Sequence, residues 1–62
     1  MIIDIEALRR DLINYFGVAM IKFPNAMMDL IEVQNANDDK LIQIAVTNGF
    51  NLENYEIKNK TR

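Results

Sequence analysis

Between Ile5 and Met20 the apolar residues recur at helical spacing. At 100° per residue Ile5, Leu8, Leu12, Phe16 and Ala19 share one face, flanked by Ile13, Tyr15 and Met20. Glu6, Arg10, Asn14 and Gly17 fall on the opposite side. Asp4 suits the N-cap, and Glu6 stands in the first turn, where the helix dipole favours an acid. Glu6 and Arg10 are four apart and are expected to pair. Gly17 costs up to about 1 kcal/mol in a helix interior. The apolar stripe nevertheless continues beyond it, so the pattern predicts one helix to about Met20.

Phe23-Pro24-Asn25 interrupts the pattern, because Pro24 drives Phe23 out of helical geometry yet suits the first turn of a new helix. Residues 25–34 then read as a short helix, with Ala26, Leu30 and Val33 together and Met27 and Ile31 alongside. Met28 falls nearer Asp29 and Glu32, where it is open to solvent or to a partner. Asn37, followed by Asp38 and Asp39, is a strong start for a third helix over Asp38 to Asn48. Its apolar arc is wide, from Ile44 through Leu41, Ala45 and Ile42 to Val46, which places this helix at the centre of the fold. Gly49 ends it as a left-handed cap with Phe50 packing back, and Asn51 caps a last turn through Leu52, Tyr55 and Ile57. No alternation long enough for a strand is present.

The expected fold is therefore all-α: a small three-helix bundle with a short C-terminal helical turn, forming a single domain over residues 1–57. Its expected core is Leu8, Leu12, Phe16, Leu30, Ile31, Leu41, Ile42, Ala45 and Phe50. Composition adds a dimer to this picture. Twenty-six of the 62 residues are Ile, Leu, Val, Met, Phe or Tyr, and the chain has no Cys and no His. A chain this short buries only about 60% of its unfolded surface. Neither a disulfide nor the usual zinc ligands are present to help, so association is the remaining aid. A homo-oligomer, or an unknown protein partner, is expected to cover the apolar excess.

Charge is divided unevenly along the chain. Residues 1–57 hold all nine acids against Arg9, Arg10, Lys22 and Lys40, while Lys58, Lys60 and Arg62 make residues 58–62 a basic tail, expected to be frayed. An acidic body argues against nucleic acid as a partner. Met1-Ile2-Ile3 is followed at once by Asp4 and Glu6, which fits no secretory signal, and the ten uncharged residues from Leu12 to Ile21 are short of the ~20 of a membrane span. A cytoplasmic protein without a membrane association is the expectation.

The chemical inventory points away from catalysis. Asp29 with Glu32, and Glu53 with Glu56, are carboxylates one turn apart and read as solvated faces. Asn35 to Lys40 has the acids of a calcium loop, but Lys40 stands where the turn glycine belongs and Val46 where the bidentate acid belongs. No phosphate-binding glycine loop exists. No catalytic residue, metal site or cofactor is expected. Arg9 is the one polar residue within the apolar arc of the first helix, so either its stem covers apolar surface or it pairs with an acid across a dimer. Arg9, Met27 and Met28 are the candidate interface residues.

Ile44-Ala45-Val46-Thr47-Asn48-Gly49-Phe50, with Tyr55 beyond, resembles the helix-turn-helix of AraC-type regulators. Ala45, Gly49, Phe50 and Tyr55 match that motif, while Glu56 replaces a usual aromatic. The resemblance implies a DNA-binding or transcription-linked module using residues 41–57, with Asn51, Glu53, Asn54 and Glu56 facing DNA. The segment from Asp39 to Leu52 is also similar to the helical leader of Nif11-like peptide precursors. Over its whole length the chain resembles short all-helical proteins of bacteria, a resemblance that implies no activity.

Overall fold

A computed structural model of the chain describes residues 2–57; the basic tail 58–62 lies outside the described residues. Three α-helices follow one another, α1 (Ile5–Ala19), α2 (Ala26–Asn35) and α3 (Asp38–Thr47), and a single 3₁₀ turn, η1 (Leu52–Tyr55), ends the fold. Asp4 opens α1 by accepting the amide of Ala7 at 3.1 Å, as its short carboxylate predicts. Asn37 does the same for α3, taking the amide of Lys40 at 2.8 Å, with Asp38 and Asp39 behind it against the positive end of the dipole. Gly49 adopts φ 82°, and the amides of Phe50 and Gly49 return to the carbonyls of Ala45 and Val46. That pair of bonds is a Schellman motif, and it turns the chain sharply into η1, which Asn51 caps through Glu53.

α2 begins differently. Asn25 makes no side-chain cap, and the first amides are taken by the carbonyls of Phe23, Pro24 and Asn25 in tight i→i+3 turns. The other end of α2 has no glycine. Its orphan carbonyls are met from α1, where Arg9 Nη1 donates to the carbonyl oxygens of Val33 at 2.8 Å and Gln34 at 3.5 Å. A positive group at this end also opposes the negative pole of the helix.

The centre of the fold is α1, not α3: α1 touches α2, α3 and η1, while α3 rests on α1 and η1. Leu8, Leu12 and Phe16 of α1 meet Ala26 and Val33 of α2 and Leu41, Ile44 and Ala45 of α3 in one buried cluster. Leu30, Ile42 and Phe50 pack against it half-buried, as does Ile13. Ile31 does not belong to the core, being 50% exposed; Val33 and Ala26 occupy the arc that meets α1. The anticipated Glu6–Arg10 pair is also replaced. Arg10 Nε donates to Asp11 at 3.4 Å instead, on an exposed surface where such a pair contributes little.

The chain ends are joined. Ile3 and Glu56 form an isolated antiparallel bridge, with Asp4 N–H donating to Tyr55 O and Ile57 N–H to Ile2 O, both at 2.7 Å. Beside it the Tyr55 hydroxyl donates to Asp11 Oδ2 at 2.6 Å. Tyr15, Phe50 and Tyr55 continue this seam as an aromatic ladder, the first two edge to face at 5.4 Å. The hydrogen bond from Tyr55 holds the Asp11 carboxyl below its usual range, and the same bond pushes the Tyr55 hydroxyl up.

Two outcomes follow from these contacts. Arg9→Met keeps the apolar stem but removes the donor, and should lower stability by about 1–2 kcal/mol, a fall of several degrees in Tm. An unchanged Tm would contradict the cap. The Asp11–Tyr55 bond contributes fully between the ordinary carboxylate value near ~4 and the ordinary phenol value near ~10. Its contribution fades as pH falls through the lowered Asp11 value, and again as pH rises through the raised Tyr55 value. Thermal melts of wild type and Tyr55→Phe should therefore differ by a constant amount from about pH 5 to 9, and converge at both extremes. A difference that grows toward either extreme would contradict the linkage.

Candidate protein-binding face

On α2 the residues that meet α1 span a narrow arc, Val33, Ala26 and Leu30, and Glu32 and Asp29 flank it toward α3. The remaining circumference carries Met27, Met28 and Ile31, with Gln34 and Asn35 at its C-terminal end. Met27 and Ile31 are four apart, and Met28 and Ile31 three apart, so Ile31 neighbours both methionines on the helix surface. Met27, Ile31 and Met28 are 52, 50 and 77% exposed. Phe23, one turn before Met27, is 65% exposed, and Ile21 beside it is 82% exposed. α2 is thus apolar on two sides, and only one of them is covered.

α1 contributes the neighbouring strip. Arg9 reaches the end of α2, so the row Arg9, Ile13 and Gly17, spaced by four, starts beside α2, with Ile21 in the turn beyond the helix. Each step of four advances about 40° around the helix, and the row drifts from the α2 contact out to solvent. Ile13 is half-buried, and Met20 fills the corner next to α2. At Gly17 a side chain would meet nothing within 4 Å. Its φ is ordinary, so neither backbone conformation nor internal packing calls for glycine there.

α3 and η1 cover one face of the α1–α2 hairpin, and the opposite face carries this strip. Of the residues singled out from sequence, Met27 lies on the open face and Met28 at its outer edge. Arg9 lies at its inner end, with its guanidinium engaged by α2 of the same chain. Gly17 was not identifiable as a face residue from the helical wheel of α1, because the wheel groups it with Arg10 and Asn14. Only the placement of α2 turns that flank into part of an apolar surface.

Elsewhere the polar groups are dispersed. Between α2 and α3 lies an open cleft of about 360 Å³, floored by Phe16 and Ile44 and rimmed by Asp29, Glu32, Lys40 and Gln43. Lys40 Nζ stands 4.0 Å from Glu32 Oε2 across it, with both side chains about half exposed. Among the described residues no three carboxylates gather as a cation site would need, and no helix is long and apolar enough to cross a membrane. The segment that resembles a helix-turn-helix is α3 with its Gly49 turn; the position of a second helix is held by the four-residue turn η1, which runs into the bridge with Ile3.

No protein-family model matches the chain, and neither does any curated protein or solved structure.

Proposed function

We propose that the chain is a non-catalytic helical binding module, acting through self-association or protein–protein binding at the open face of the α1–α2 hairpin. One observation carries this reading: Ile21, Phe23, Met27, Met28 and Ile31, all within eleven residues of chain, are large apolar side chains each half or more exposed. Soluble monomers seldom leave so much apolar surface together, because each such group is stabilised by leaving water. Methionine suits a binding surface, since its unbranched thioether repacks against different shapes. Around this face the body is acidic, which favours a protein partner over a phosphate backbone.

The test compares the wild-type chain with Met27→Glu/Ile31→Glu, each released gently from the cells that make it and sized by gel filtration with light scattering. Neither residue belongs to the buried cluster, so circular dichroism should show the helices retained. Wild type should elute in an assembly larger than its own 7.2 kDa, and the double variant as the free chain. Wild type that leaves its cells as a 7.2 kDa monomer would overturn the reading.

A further inference from the structure

We infer that the occupant of the open face is a second copy of this chain, related by a two-fold axis, with α1 crossing its twin in antiparallel fashion so that Ile13 of each copy seats on Gly17 of the other. The inference rests on the reading of this face as a binding surface and adds the identity and register of the partner.

Two observations support a second copy. First, area: at about 200 Å² for a fully open large side chain, Ile21, Phe23, Met27, Met28 and Ile31 together offer roughly 600 Å² of apolar surface. Two such faces come to roughly 1,200 Å², at the lower edge of what specific stable interfaces bury. Second, shape: a two-fold contact must be self-complementary, each feature finding its counterpart on the same surface. Ile13 and Gly17 are one turn apart on the same row of α1, one a half-buried branched side chain and the other a bare stretch of backbone with open space above it. An antiparallel crossing midway between them sets each isoleucine over the other copy's glycine, and both pairs close together. Glycine in a helix interior is destabilising by roughly 1 kcal/mol relative to alanine, and a partner helix approaching at that point gives it a purpose the single chain does not.

The experiment uses the purified chain alone, in two versions, by sedimentation equilibrium from micromolar to millimolar concentration. Wild type should be a reversible dimer. Gly17→Gln should fold, since the added side chain meets nothing within its own chain, and should melt slightly higher than wild type when both are dilute monomers. It should nevertheless dimerise at least 100-fold more weakly.

Wild type that stays monomeric to millimolar concentration overturns the second copy. If that same chain leaves its cells in a larger assembly, the binding face itself stands, with a different protein on it. A wild-type dimer that Gly17→Gln leaves unchanged overturns the antiparallel α1 contact.

Discussion

Every element of this fold is anchored on α1. Its stripe of Leu8, Leu12 and Phe16 is the surface against which the apolar arcs of α2 and α3 are buried. Full burial of each such side chain contributes about 1.5–3 kcal/mol, and no comparable contact joins α2 to α3, which are separated by an open cleft. One helix has a limited circumference, and two helices and a 3₁₀ turn cover only part of it. The flank running through Ile13 and Gly17 to Ile21 is what remains. The open face is thus a consequence of how three helices and a 3₁₀ turn are placed among the described residues.

Long-range polar contacts do the work that a disulfide does in many small domains. Tyr55 reaches Asp11, the Asp4 amide donates to Tyr55 O and the Ile57 amide to Ile2 O, and Arg9 finishes α2. Each of these groups is at the margin of solvent rather than deep in the core, so each contributes modestly by itself. Their effect is positional. They set the tilt of α2 and the return of η1, and with them which flank of the hairpin is left uncovered. The Schellman turn at Gly49 is the local counterpart, aiming Phe50 at Tyr15.

Helix boundaries were legible in the sequence because their causes are local. Asp4, Asn37 and Asn51 each satisfy an amide two or three residues ahead, and Gly49 supplies a conformation other residues resist. The placement of whole helices was less so. Apolar residues occupy two sides of α2, so the sequence did not say that Val33 rather than Ile31 would be buried. The wide arc of α3 suggested a central helix, yet part of that arc, at Val46, is 56% exposed. Contacts between distant residues left no trace in the pattern: Asp11 and Tyr55 are 44 apart, Arg9 and Val33 24 apart. The candidate face was half legible. Met27 and Met28 stood out as surplus on a short helix, whereas Gly17 took on meaning only beside a correctly placed α2.

The central claim is that the uncovered flank of the α1–α2 hairpin is a contact surface between two copies of the chain. A soluble paramagnetic probe, read by the broadening of amide and methyl resonances in the full chain, tests it residue by residue. As protein concentration rises from micromolar to millimolar, Ile13, Gly17, Ile21, Met27 and Ile31 should become shielded. Val46 on α3 and Ile2 near the chain ends should stay as open as before. Uniform broadening at every concentration, or shielding that appears first on α3, would contradict the account.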